Sequence, residues 1–187
     1  MNKEEKELLT AANGGDPKAQ YLLAAKYFKA NKKSNAVNWY EKSAQGGYLL
    51  SMIALIGRYI YDKDVPHNWS RAYAWFKKAR KTDEKRLRVV YQNLFDGEKL
   101  CDEGEFDGAL KKGFMGAYCG LAEEAEEPDY KFAYYKQGCD WGDVNCWLGL
   151  SECVRNGIGC AVYEDEADKI YNVYLEKKKE IDKIIAE

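Results

Sequence analysis

A doubled glycine that ends one helical pattern and opens another constrains this chain more than any other feature. From Asn38 the sequence runs Asn-Trp-Tyr-Glu-Lys-Ser-Ala-Gln-Gly-Gly-Tyr-Leu-Leu-Ser-Met-Ile-Ala-Leu-Ile-Gly-Arg-Tyr, ending at Tyr59. Gly46-Gly47 supplies left-handed backbone that stops a helix without a Cβ clash. Beyond it Ser51, Leu55 and Tyr59 recur every fourth residue, the spacing of a helix that buries one stripe. The nine-residue frame repeats: residues 11–19 (Ala-Ala-Asn-Gly-Gly-Asp-Pro-Lys-Ala) lie over 43–51 and over 138–146. Trp39-Tyr40 recurs as Trp75-Phe76, Tyr134-Tyr135 and Ile170-Tyr171. An inward column reads Leu23, Leu55, Tyr91, Leu121 and Leu150. Copies about 30 to 36 residues apart have the period of stacked helix pairs.

The pattern predicts an all-α chain of about five helix pairs after a lone helix near residues 4–12. First helices are expected near 16–29, 48–61, 84–96, 114–126 and 143–156, with partners near 34–45, 69–80, 99–112, 129–140 and 164–178. Asp16-Pro17 opens one of them as N-cap and first-turn proline. The corresponding repeats are 16–47, 48–83, 84–113, 114–142 and 143–187, within one domain spanning 1–187. A stripe of Ile181, Ile184 and Ile185 extends the last helix, as the cap of an open end requires.

Composition closes off several alternatives. Hydrophobic residues at 46% exclude a disordered chain, and three prolines with little strict alternation argue against β architecture. A net charge of −2 gives no drive towards nucleic acid or anionic membrane. No run of about 18 apolar residues exists to span a bilayer. The charged opening Met-Asn-Lys-Glu-Glu-Lys lacks an apolar signal core, so the expected location is cytoplasmic.

These columns resemble the Sel-one-like repeat (SLR) family, relatives of the tetratricopeptide repeat. The second repeat supplies Leu55, Tyr59, Val65, Ala72, Trp75 and Phe76 at the family spacing. The fifth supplies Leu150, Gly157, Gly159, Ala167 and Tyr171. The first keeps Ala19, Leu23, Tyr27, Ala36, Trp39, Tyr40 and Ala44. Asp62 and Asp64 stand where the family has glycine, and the third repeat keeps little beyond Phe106 and Gly113. The resemblance implies a right-handed α-α superhelix, a solenoid, with a concave groove that binds other proteins in adaptor or scaffold roles.

Little in the chain selects chemistry. The one histidine, His67, lies in a Val-Pro-His-Asn-Trp loop, and no phosphate loop, HExxH or Cys-x-x-Cys occurs. No cofactor or metal is called for, and an enzyme is not expected. The outlier is six cysteines: Cys101, Cys119, Cys139, Cys146, Cys153 and Cys160. Cys146 and Cys153, two turns apart, stand about 10 Å apart along one helix, beyond disulfide reach. Cys139 with Cys146, and Cys153 with Cys160, flank turns and could approach. Cys139 and Cys146 also fill columns held by Ala44 and Ser51, where cysteine packs as a small apolar group. A reducing cytosol favours packed thiols over disulfides or a metal. Cysteine-rich members of the resembled family do carry repeat disulfides, so the alternative is a stapled SLR protein with ligand-binding or hydrolase activity.

The leading expectation is a non-enzymatic, monomeric interaction module holding a protein or peptide in its groove. One version is an inhibitor or immunity-type partner of a toxin or effector. First helices line the concave side of such solenoids, which nominates Tyr21, Lys26, Ile53, Arg58 and Val89 for partner contact. Charge is also uneven: 77–88 is basic, whereas 96–129 is acidic, with Asp102, Glu103, Glu105, Asp107, Glu123, Glu124, Glu126 and Glu127 among its carboxylates. The plain reading of that asymmetry is two solvated faces; the sharper one is a bipolar surface that steers a partner's basic patch onto the acidic half.

Overall fold

The computed structural model describes residues 3–186. Met1, Asn2 and Glu187 of the expected domain lie outside them. Every regular element among the described residues is helical: α1 (Lys3–Asn13), α2 (Pro17–Lys29), α3 (Lys33–Gln45), α4 (Leu49–Tyr61), α5 (Trp69–Asp102), α6 (Phe106–Lys111), α7 (Ala117–Glu124), α8 (Pro128–Asp140), α9 (Val144–Asn156) and α10 (Glu164–Ala186). No helix among the described residues is long and apolar enough to cross a membrane. Contacts divide the chain into two compact units, residues 3–67 with 71–87, and residues 68–70 with 88–186.

The repeated frame becomes one repeated turn. Gly15, Gly47 and Gly142 all take left-handed φ, at 91°, 83° and 73°. In each copy the glycine N–H donates three residues back, to Ala12, Ala44 or Cys139, at 2.9–3.2 Å. The next N–H (Asp16, Tyr48 or Asp143) reaches five residues back, to Ala11, Ser43 or Gly138, at 2.9–3.1 Å. That pair of bonds satisfies carbonyls a helix end would otherwise leave open. Asp16 and Asp143 then cap α2 and α9 by accepting from Lys18 N and Asn145 N.

In the first unit α1, α2, α3 and α4 pack as successive neighbours. Ala12, Ala19 and Leu23 form one core cluster, against which Leu8, Leu9, Tyr27 and Trp39 pack. The small residues of the frame let helices approach closely and tie them together. Ser51 Oγ of α4 donates to Ser43 Oγ of α3, and Ser43 Oγ donates to the Pro17 carbonyl of α2, both at 2.6 Å. Both serines are buried. Ser43→Ala strands the Ser51 hydroxyl and is expected to cost about 1–3 kcal/mol. Adding Ser51→Ala should recover part of that loss in urea melts, because the stranded hydroxyl is then gone.

In the second unit α7 packs on α6, α8 and α9, and α9 packs on α8 and α10. Ala122, Tyr135, Cys139, Cys146, Leu150 and Cys153 make its core cluster. Gly138 and Cys146 stand in the columns of Ser43 and Ser51, and the cysteine sulfur fills the space a Cβ on Gly138 would need. The start of α5 closes over the α8–α9 turn. Trp69 N–H donates to the Trp141 carbonyl and Val144 N–H to Ser70 Oγ, both at 2.8 Å, while the Trp69 ring meets Phe114 edge-on at 4.8 Å.

This closure buries the Asp143 carboxyl to 3% exposure and lifts its pKa from 3.8 to about 6, against the opposing pull of Asn145 N–H and Ser70. The folded chain therefore holds that proton more tightly than the unfolded chain. Its contribution to stability is greatest below about pH 4 and declines as pH rises to about 6. Asp143→Asn keeps a capping oxygen and removes the titration. Urea midpoints should shift in the variant's favour between pH 4 and pH 7; a shift the other way would contradict the burial argument.

The third pair departs from expectation. Residues 69–80 and 84–96, expected as two helices, are parts of the single helix α5, so the expected repeat boundary at 83 falls inside it. The reason is local. Lys81-Thr82-Asp83-Glu84 contains no glycine, asparagine or proline to supply the left-handed residue that ends other helices here. Thr82 Oγ1 bonds back to the Lys78 carbonyl at 3.1 Å, and Asp83 Oδ1 accepts from Arg86 N at 2.9 Å, so both polar side chains are absorbed within the helix. The expected 99–112 helix is instead the end of α5, a left-handed Gly104, and the six-residue α6. The 114–126 helix contracts to α7, and the last helix does continue through the buried Ile184.

Candidate functional site

Four of the five nominated contact residues lie in the first unit, and they differ in how far they are engaged. Tyr21 is half-buried, its ring 5.7 Å from Tyr40 and 5.3 Å from Tyr48. Lys26 is exposed and pairs with Glu5 at 3.7 Å. Ile53 is half-buried on α4. The Arg58 guanidinium lies 3.5 Å from the Phe28 ring centre and its Nη1 3.4 Å from Asp62 Oδ2. Lys33 also stands over Phe28, at 3.6 Å, and contacts Asp62 and Asp64 at 3.7 and 3.8 Å. The two aspartates that replace glycines of the family pattern thus anchor cations from α3 and α4, and Arg58 acts as an internal brace. Val89, on the part of α5 within the second unit, is 83% exposed and its neighbour Val90 is 51% exposed.

A second polar knot joins Glu41, Tyr59 and Arg71. Tyr59 Oη donates to Glu41 Oε1 at 2.5 Å, and Arg71 Nη1 donates to the same oxygen at 2.8 Å and to Tyr59 Oη at 3.1 Å. Burial and the Glu41 carboxylate push the Tyr59 phenol above its ordinary pKa, so it stays a donor. These three bonds make the knot a tie between α3, α4 and α5.

The second unit carries two adjoining hollows. One, of about 260 Å³, is lined by Leu121, Ala125, Tyr130 and Tyr134 with Glu124, Glu126 and Glu127. The other, of about 310 Å³, is lined by Phe106 with Gly104 and Gly108, by Glu105 and Asp107, and again by Leu121 and Glu124. The acidity of this segment was legible in the sequence. Its aromatic lining was not, because Phe106 and Tyr134 read as repeat-core positions.

The chain is similar to Sel1-repeat proteins. A Sel1 repeat protein from Oxalobacter formigenes shares 20% identity at a TM-score of 0.40, over 87% of this chain and 71% of that one. A protective antigen present in uropathogenic Escherichia coli strains and displaying an SLR fold shares 19% identity at a TM-score of 0.40. That match covers 92% of this chain, which spans about half the antigen's length (48%). No family model and no curated protein matches the chain.

All six cysteines are free thiols, and Cys139, Cys146 and Cys153 are buried. Burial raises the thiol pKa at Cys139, and at Cys153 to about 11. At Cys146 a hydrogen bond with Cys119 and burial act in the same direction. Such groups stay protonated and unreactive near neutral pH. Cys153 and Cys160, which flank the expected turn, meet through a thiol-to-carbonyl contact of 3.6 Å. Denatured, unreduced protein is therefore expected to titrate six thiols with Ellman's reagent, and a count of two would establish disulfides. His67 lies exposed in the turn between α4 and α5.

Proposed function

We propose that this chain is a non-enzymatic docking module that binds another protein, in an adaptor or scaffold role. The observation that carries the reading is the pair Val89 and Val90, two branched apolar side chains standing out from α5 within a basic stretch of Lys85, Arg86 and Arg88. Fully burying such a side chain against a partner is worth about 1.5–3 kcal/mol, and the chain alone leaves most of that unrealised at Val89 and about half at Val90. Lys26 in the first unit is exposed too, although it pairs with Glu5. Tyr21, Ile53 and Arg58 combine any such contact with internal packing, so substitutions there report on stability as well.

An inhibitor or immunity-type role would use the same surfaces and differ only in what becomes of the bound protein. The test is affinity capture from the source cells with mass spectrometry, using wild type, Val89→Asp and Val90→Asp. One partner should be retained by wild type and lost by both variants, with melting temperatures unchanged within about 2 °C, as is usual for surface substitutions. Equal retention by all three would remove the valine pair from the interface.

A further inference from the structure

The two hollows of the second unit adjoin at Leu121 and Glu124, which line both, and together they make a trough-like strip along α6, α7 and α8. Five carboxylates edge it: Glu105, Asp107, Glu124, Glu126 and Glu127. None of the five makes an ion pair or a side-chain hydrogen bond among the described residues. Helix dipoles account for part of this: Glu105 and Asp107 sit at the start of α6, and Glu126 and Glu127 at the start of α8, where the dipole favours negative charge although neither N-cap side chain bonds the backbone. It does not account for Glu124. That residue lies in the last turn of α7, a turn with no basic residue, where the dipole opposes a carboxylate. It is also the one acidic residue that both hollows share.

The same linings hold apolar and aromatic side chains, with Phe106, Leu121 and Tyr134 half-buried and Tyr130 63% exposed. Carboxylates beside partly exposed aromatic rings match one kind of side chain, a long apolar stem ending in a cation. Its stem lies along the rings, and its head meets the quadrupole of the ring face and the carboxylates together. A strip of two hollows takes more than one such side chain.

We infer that this trough receives a lysine- and arginine-bearing segment of a partner protein. The inference rests on the docking-module reading and names the partner chemistry for one face of it. Charge complementarity selects the occupant, and the aromatic lining separates a peptide from a bare polycation.

The test uses the full chain and fluorescein-labelled octa-arginine, followed by anisotropy at 50 and 150 mM NaCl, with octaglutamate as the control peptide. Octa-arginine should bind and weaken with salt, and octaglutamate should not bind. The triple variant Glu124→Gln, Glu126→Gln, Glu127→Gln should bind at least tenfold more weakly, and Tyr130→Ala three- to tenfold more weakly. A control triple at exposed carboxylates elsewhere (Glu4→Gln, Glu7→Gln, Glu176→Gln) should stay within twofold of wild type. Absence of octa-arginine binding, equal weakening by the two triples, or displacement by spermine at matched charge would each overturn the inference. A captured partner that survives the trough triple but is lost with Val89→Asp would overturn the trough while leaving the docking-module reading intact.

Discussion

Trp75→Ala is expected to remove about 3–5 kcal/mol of stability, the range for deleting a large buried ring whose cavity persists. Trp75 has no exposed surface, and Ala72, Ala74, Phe76 and Ala79 on the same stretch of α5 are buried too, so a void left there is enclosed and should persist. For a chain of this size the loss corresponds to a fall in melting temperature of about 6–20 °C. Its counterpart Trp39 is only half-buried, against the cluster of Ala12, Ala19 and Leu23. Each tryptophan carries a lysine three residues on over its ring, Lys42 at 4.4 Å and Lys78 at 5.6 Å, so the two positions are locally alike and differ chiefly in enclosure. Trp39→Ala should therefore cost clearly less. Equal losses, read by urea denaturation, would mean that enclosure does not govern these columns.

The second large effect concerns Gly159, in the loop between α9 and α10. Its φ is 67°, and a Cβ there would overlap the Pro128 carbonyl oxygen and stand 2.8 Å from Phe132 Cβ. Because the first obstacle is backbone, no rotamer change relieves it. Gly159→Ala is expected to cost about 2–5 kcal/mol, combining about 1–2 for a left-handed alanine with about 1–3 for forced overpacking. Gly15→Ala separates the two causes. Gly15 has a similar positive φ of 91° and nothing within 4 Å of its would-be Cβ, so only the backbone strain applies. A Gly159 loss no larger than the Gly15 loss would show that the α9–α10 loop yields to the extra atom.

The sequence made the hairpin ends legible because each rests on one residue type in one backbone state. The copies at Gly15, Gly47 and Gly142 could be aligned by eye and share the same two hydrogen bonds. The α5 break was misread for the complementary reason. A repeat period carried from neighbouring copies puts a turn at 81–83, but a turn forms only where some residue accepts left-handed backbone, and no residue there does so readily.

Site residues were harder to read. Arg58 lies on an apolar helix and reads as a groove residue, yet Phe28 and Asp62 hold it from within. Asp62 and Asp64 registered only as departures from a pattern, and their use by Lys33 depends on how the α4–α5 turn folds back towards α3. The acidic stretch was visible as charge. That Phe106 and Tyr130 would lie near those carboxylates depends on how α6, α7 and α8 meet, which no linear spacing records.

The claim that the exposed valines of α5 mark a docking face is tested most directly by photo-crosslinking in the source cells, with benzoylphenylalanine placed at Val89. The account predicts one saturable crosslinked protein, competed away by unlabelled wild-type chain and absent when the probe replaces Lys18, an exposed residue on α2. The same diffuse products from both positions, or none from either, would contradict it.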